Sequence, residues 1–363
     1  MSNIIKIAGM LDPHAHLRDL DWAHKATFYS ETCAAVAGGY WAVFDMPNTP
    51  PSTTNADALQ KKLDAFQTQA VCDWGVYMGA SQYDNTSHYS QTWQQSCGLK
   101  IFNNSTTGDL LIDNQEMRQK HYEAWSQHRI IAVHAEEETV LDILALVRQT
   151  RKPTHFLHIS TTKEIQFLRD AKEEGLPITL GVCPHHLYLT QDDEATLGAY
   201  GIMKPSLKTV HDRDALWQAI QDGLVDIIES DHAPHTHTEK QSSKPPFGVT
   251  GLETNLPLML TAVYEKRVSL ERVIALLADN PRRIWGLTCP PDTYALVDIE
   301  AEYILDNRQL FTACGWSPFD GMPVRGKVLE TWIRGTKVFD RGEIVAQRGF
   351  GQNLFGANSK WVA

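Results

Sequence analysis

Cysteine is scarce in this sequence. The six that occur, Cys33, Cys72, Cys97, Cys183, Cys289 and Cys314, are dispersed with no Cys-x-x-Cys pair. That points away from a disulfide framework and from a thiolate zinc site, and marks them as reduced, mostly buried thiols. Long apolar runs are also missing, so no stretch is expected to span a bilayer. The opening Met1-Ser2-Asn3-Ile4-Ile5-Lys6 lacks the apolar core and small-residue cleavage pattern of a signal peptide, and the expected address is the cytoplasm. Positive charge is in deficit, with 33 Lys and Arg against 44 Asp and Glu, a net charge of -11. Nucleic acid and anionic membranes favour a basic face, so neither is expected as a partner. Any anion must be recognised by locally placed groups.

What is present is an ordinary globular composition, 42% hydrophobic and 21% charged over 363 residues, long enough to bury a large core. Eight short β-rich apolar runs stand out: Ile4 to Met10, Trp41 to Asp45, Cys72 to Met78, Gly98 to Phe102, Ile130 to Val133, Thr154 to Leu157, Pro177 to Val182 and Val225 to Glu229. Helix-like segments separate most of them, among them Phe28 to Ala37, Asn55 to Phe66, Asn114 to His128, Thr161 to Glu174 and Asp212 to Gln221. Alternation of this kind predicts a parallel sheet with helices outside, and eight units predict a closed (β/α)8, TIM-like barrel. Leu252 to Tyr264 and Leu270 to Leu277 read as further helices, closed by Asn280-Pro281-Arg282-Arg283. From about Tyr294 the pattern turns to strands, with a hairpin turn expected at Arg341-Gly342. The expected domains are a barrel over residues 9–290 and a small β-sandwich-like accessory domain from residues 1–8 and 291–363.

Barrel enzymes place their chemistry at the C-terminal ends of the strands. Here those ends supply His14 and His16, then Met46-Pro47-Asn48-Thr49, then Lys100 with the polar loop Asn103 to Gly108, then His134, His158 and Ser230-Asp231-His232-Ala233-Pro234-His235. His14 and His16 are two residues apart, so on a strand they share a face and can address one ion. Arg18, two further on, falls on the same side and can hold an anionic group beside it. Each residue alone has an ordinary alternative: a structural histidine, a surface lysine, an aspartate capping a loop. Their joint occurrence at matching strand ends points instead to a metal centre. A pair of ions needs a bridging ligand, which ammonium cannot be. Neutral lysine, however, reacts with carbon dioxide to give a carbamate with two oxygens. Ions about 3.5–4 Å apart can share a hydroxide and polarise the carbonyl it attacks, with Asp231 as ligand and proton shuttle.

These residues sit in a run of motifs: Asp12-Pro13-His14-Ala15-His16-Leu17-Arg18, Met46-Pro47-Asn48-Thr49, Gly98-Leu99-Lys100, Val133-His134-Ala135-Glu136, Pro184-His185-His186-Leu187, Ser230 to His235, Gly251-Leu252-Glu253 and Asn280-Pro281-Arg282-Arg283. In them, from Gly9 to about Gly351, the chain resembles dihydroorotases of the amidohydrolase superfamily, in particular the dihydroorotase domain of animal multifunctional pyrimidine-synthesis proteins. The resemblance implies two zinc ions, one held by His14, His16, carboxylated Lys100 and Asp231, the other by Lys100, His134 and His158. It implies that Arg18, Asn48 and His235 hold a substrate carboxylate. Thr106 would act from a loop that closes over substrate, and Gly248 would offer backbone groups to the dihydropyrimidine ring. The implied reaction is reversible closure of N-carbamoyl-L-aspartate to dihydroorotate. A homodimer is the implied assembly, and a carbamoyltransferase is admitted as a partner.

Two positions depart from the animal domain. Lys204 stands where that domain has a substrate-contacting arginine, replacing a planar fork by a point charge. Leu157 and Gly181 stand where it has a cysteine and a glutamate able to hold a third metal, so two ions are expected here, with Cys183 too far along its strand to substitute. Two rivals remain. A hydantoinase or dihydropyrimidinase shares the ligand framework but has no carboxylate to satisfy a buried Arg18. A catalytically silent assembly subunit would have lost a ligand, yet all six ligand positions are filled.

Overall fold

The computed structural model describes residues 3–356 and 359–362. Ile4 to Met10, expected as the first barrel strand, is two strands. Gly9, at φ +57°, takes a left-handed conformation that separates β1 (Ile4–Ala8) from β2 (Met10–Ala15), and only β2 enters the barrel. The barrel continues through β3 (Tyr40–Asp45), β4 (Asp73–Gly79), β5 (Gly98–Phe102), β6 (Ile130–His134), β7 (Thr154–Phe156), β8 (Ile178–Val182) and β9 (Ile227–Ile228), parallel and in sequence order. Every residue of β2, β3 and β4 is buried, as the continuous apolar runs of a parallel sheet covered on both faces require. The last run, expected from Val225 to Glu229, keeps strand pairing only over Ile227–Ile228. The seam between β9 and β2 is joined just past their ends, where Ala15 and His232 form a parallel bridge and His16 N–H donates to His232 O at 2.6 Å.

The outer helices begin where the sequence supplies caps. Thr27, Thr161 and Thr209 each accept a hydrogen bond from the backbone N–H three residues on and start helices Phe28–Ala37, Thr162–Glu173 and Val210–Gln221. The helix expected to reach His128 stops at Ala124, where Trp125 turns extended and its indole N–H donates to Arg129 O. Asn280-Pro281 does not close the preceding helix as expected. Leu270–Ile274 passes through a π turn, Ala275–Asp279, into Asn280–Ile284, so the chain stays helical through Pro281.

The additional sheet is antiparallel, in the order β1, β10 (Tyr294–Ile304), β11 (Pro323–Ile333), β12 (Thr336–Asp340) and β13 (Glu343–Ile344). Its last turn is at Arg341-Gly342, both with positive φ, as a two-residue hairpin needs. β11 lies on helix Asn255–Tyr264 closely enough that a Cβ at Gly326 would come within 2.3 Å of Leu260 Cδ1. Residues 352–354 return to the foot of the barrel, where Trp74 N–H donates to Gln352 O and Leu354 N–H to Trp74 O.

Asp73, at the start of β4, ties these parts together. Its carboxylate accepts from Trp41 Nε1 at 2.7 Å and Gln352 N–H at 2.9 Å, and pairs with Arg334 from the end of β11. Removing one partner of such a buried pair leaves the other charge uncompensated. Asp73→Ala is therefore expected to lower stability by about 3 kcal/mol in urea unfolding. Arg148→Ala, which breaks the exposed pair with Glu174, should cost less than about 1 kcal/mol.

Candidate metal centre

His14 lies near the end of β2 and His16 one residue beyond it. Both rings meet one carboxylate: Asp231 Oδ1 is 3.1 Å from His14 Nε2 and 3.2 Å from His16 Nε2. Ligand atoms of the three buried residues all lie within 4.8 Å of one another. Opposite, β6 ends on His134, while β7 stops short of His158, whose φ of +38° breaks the strand. The His134 and His158 rings stand 4.5 Å apart, and those of His14 and His158 5.2 Å apart. Lys100, at the centre of β5, is fully buried, and among the described residues its Nζ has no hydrogen-bond partner.

These six residues line one cleft with Arg18, Asn48, Thr106, Lys204 and Gly248. Of the residues singled out in the sequence, only His235 is not on its wall. His235 is buried behind Arg18, with Nε2 3.1 Å from Arg18 Nη2 and 3.0 Å from Phe247 O, and Nδ1 3.2 Å from Lys25 Nζ. Arg18 arrives by a different route from the strand alternation expected for it. Strand β2 has ended, and Arg18, Asp19 and Leu20 all have positive φ; the guanidinium is instead held by Nε donating to Pro234 O at 3.1 Å. The backbone of Gly248 is already engaged, its N–H by Ile202 O and its carbonyl by Lys240 Nζ.

Asn48 decides how His16 presents itself. Its Nδ2 donates to Thr107 O at 2.8 Å, which fixes the amide, so its Oδ1, 2.7 Å from His16 Nδ1, accepts a proton from that nitrogen. The lone pair of His16 is then on Nε2, facing Asp231 Oδ1 at 3.2 Å. Two acceptors so close repel unless a cation lies between them. Burial holds His16 down to about 3, and likewise depresses His134 and, strongly, His158. Burial works against ionised Asp231, but His14 outweighs it and keeps the carboxyl well below the usual range. Burial brings Lys100 down to about 7, so that much of its amine carries a free lone pair near neutral pH. Neutral His16, His134 and His158, an ionised carboxylate and a reactive lysine are donors that fit divalent metal. Burial opposes a charge on His14 too, but Asp231 outweighs it and raises that ring to about 9, so His14 must give up a proton to bind an ion.

No family model matches the sequence. The chain is 38% identical over 352 residues to the multifunctional protein CAD of Squalus acanthias, covering 97% of this chain but 16% of that protein. It is 32% identical over 368 residues to the dihydroorotase of Pyrococcus furiosus, covering 94% of this chain and 83% of that enzyme. The chain belongs to the dihydroorotase family. It thus spans only a small part of the multifunctional relative and most of the dihydroorotase. Among solved structures, L-hydantoinase from Arthrobacter aurescens superposes with a TM-score of 0.90 at 25% identity, over 97% of this chain and 88% of that one. The inactive dihydroorotase-like domain of a Chaetomium thermophilum CAD-like protein superposes with a TM-score of 0.81 at 22% identity, over 96% and 99%, and shares the fold.

Several contacts in this dihydroorotase-family site were not expected from the sequence. Thr107, next to the expected Thr106, binds both Asn48 and, through Oγ1, Phe247 O at 3.1 Å. Glu136 Oε1 stands 3.0 Å from His134 Nε2. Glu229, fully buried, lies behind His14 and His158. Its one signal was that it is an acidic residue closing the run Val225 to Glu229, a run that also carries Asp226. Asn48→Ala should release the His16 ring and the Thr107 carbonyl together, and weaken zinc binding by about 10–100-fold in a chelator-competition titration.

Proposed function

We propose that this chain is a dihydroorotase, closing N-carbamoyl-L-aspartate to L-dihydroorotate and reopening the ring. The observation that carries the substrate class is Arg18. Its guanidinium is buried on the cleft wall, Nε and Nη2 are engaged, and Nη1 has no hydrogen-bond partner among the described residues. A buried cation with an unspent donor calls for an anion, and a substrate carboxylate supplies it. The cyclic ureides of hydantoinases carry no such group. The silent-subunit reading fares no better, since the whole donor set is present and converges.

In this reading two zinc ions are bound, one by His14, His16, carboxylated Lys100 and Asp231, the other by Lys100, His134 and His158. Bound there, they would polarise the ring carbonyl and activate the attacking water. Asp231 handles the proton. Its Oδ1 faces both histidines, and in this reading the carboxylate takes a proton from the water and returns it to the leaving ring nitrogen. In hydrolysis the ring C–N bond breaks as the water oxygen bonds to carbon; in closure the nitrogen attacks and water leaves. Lys204, above the Phe247 ring at 5.7 Å, adds a positive charge at the mouth, and Thr106 lies on the loop across it. His235 acts on the substrate carboxylate by holding Arg18. The same reading makes the cytoplasm the place of action, a homodimer the assembly and a carbamoyltransferase the partner class. No helix among the described residues is long and apolar enough to cross a membrane.

Lys100→Ala should remove the bridge, lose bound zinc and nearly all turnover, and regain part of both when short carboxylic acids are added. Full activity of the untreated variant would rule the bridge out. Arg18→Met should leave metal content unchanged while lowering kcat/KM for dihydroorotate by about 2–5 kcal/mol. Assays against hydantoin and dihydrouracil in parallel would reverse the reading if those substrates, rather than dihydroorotate, were turned over.

A further inference from the structure

Glu229 is a fully buried carboxylate directly behind the metal-binding histidines. Its Oε1 accepts the His158 backbone N–H at 2.6 Å and lies 3.5 Å from His14 Nδ1, while Oε2 is 3.3 Å from His155 Nε2. His14 is thereby flanked, with Nε2 toward Asp231 and Nδ1 toward Glu229. Neither His14 Nδ1 nor His158 Nδ1 has a hydrogen-bond partner among the described residues, and the Glu229 carboxylate at 3.5 Å is the anionic group facing His14 Nδ1. The carboxylate occupies space that exists only because residue 181 is glycine: a Cβ there would fall 2.5 Å from Glu229 Cδ and 2.6 and 2.9 Å from its oxygens.

We propose that Glu229 is a positioning residue for the metal centre, seated in the space left by Gly181, where it orients the His14 ring and holds the His158 backbone. This rests on the reading of His14 and His158 as metal ligands. A histidine that binds metal through one nitrogen is made a better and more rigid ligand when a carboxylate holds the proton on the other. Glu229 is the carboxylate nearest that second nitrogen of His14. It serves His158 differently. A non-glycine residue at φ +38° is in a sparsely populated conformation that persists only when its surroundings fix it, and the short hydrogen bond to Glu229 does so. One side chain therefore sets a residue from each of the two ligand groups. The steric fit with Gly181 makes the two positions a unit. Even a methyl group at 181 must displace the carboxylate.

The test is zinc affinity and stoichiometry of the full chain, by chelator competition, for wild type, Glu229→Ala, Glu229→Gln, Gly181→Ala and the Gly181→Ala/Glu229→Ala double variant, with circular dichroism to monitor the fold. Glu229→Ala should weaken zinc binding by about 10–100-fold without lowering the number of ions bound. Glu229→Gln, which keeps an accepting oxygen for His14 and His158, should recover most of that loss. Gly181→Ala should reproduce it, and the double variant should bind no more weakly than Glu229→Ala, because the methyl then has no carboxylate to displace. The visible bands of the cobalt-substituted protein should shift in Glu229→Ala and return in Glu229→Gln. The proposal is overturned if Glu229→Ala binds zinc as wild type does, or if the two single losses multiply in the double variant. It is also overturned if Glu229→Ala binds one ion fewer, which would make Glu229 a ligand. Should Glu229→Ala not fold, Glu229→Gln and Gly181→Ala carry the same comparison. A wild type that binds no zinc would remove the metal-centre reading itself, a result distinct from failure of the Glu229 variants alone.

Discussion

Ala15 and His232 meet across the seam that closes the barrel, and the placement of His14, His16 and Asp231 depends on that contact. With His16 N–H bonded to His232 O, Asp231 is set between His14 and His16, so its Oδ1 reaches both rings. The seam is held from both sides. Asp12 accepts His14 N–H with one oxygen and Ser230 N–H with the other, tying the two edges together beneath the site. The His232 ring accepts Gly251 N–H at Nδ1 and faces Glu31 Oε2 through Nε2 at 2.6 Å, and Glu31 also receives Thr312 Oγ1–H and Ala313 N–H. Strand pairing over only Ile227–Ile228 would leave the last edge of a barrel loose. These buried side chains supply the closure that the short strand does not.

The interior so enclosed is polar in an otherwise apolar core, and this sets its electrostatics. With a net charge of -11, the protein as a whole repels anions, so any anion bound in the cleft must be attracted by groups shielded from the rest of the surface. Arg18 is such a group: burial draws it down to about 10, with Asp45 and Asp231 opposing the shift, and it stays cationic at neutral pH. Burial lowers His16, His134, His158 and Lys100 toward their neutral forms, while Asp231 keeps its charge and holds His14 protonated beside it. The same low dielectric thus yields lone pairs on those nitrogen donors and an anion among them, the state that metal binding requires.

Much of this was legible in the sequence because it is written locally. The alternation of apolar runs with capped amphipathic segments revealed the barrel, and the strand-end rule located His14, His16, Lys100, His134, His158 and Asp231. Misreadings came where a single backbone angle or a distant partner decides. Gly9 divides one apolar run between two sheets, and a π turn carries a helix through Pro281. Asn48, expected as a substrate contact, lines the cleft, but its amide also meets His16 and Thr107, 32 and 59 positions away, which the sequence did not announce. Glu229 was passed over for the same reason: its partners lie 71 and 74 residues earlier, on another strand and its following loop. Contacts of that range have no period or motif to announce them.

A closed barrel offers no free strand edge, but the sheet beside it has two. One is β13, only two residues long, too short to serve as a template for another chain. The other is β1, five residues with mixed exposure, where Lys6 keeps its ammonium 3.6 Å above the Tyr294 ring. Short edges and a charge on the longer one are what discourage sheets from adding a neighbour's strand. The accessory sheet can therefore brace the barrel through β11 while its own borders resist edge-to-edge aggregation.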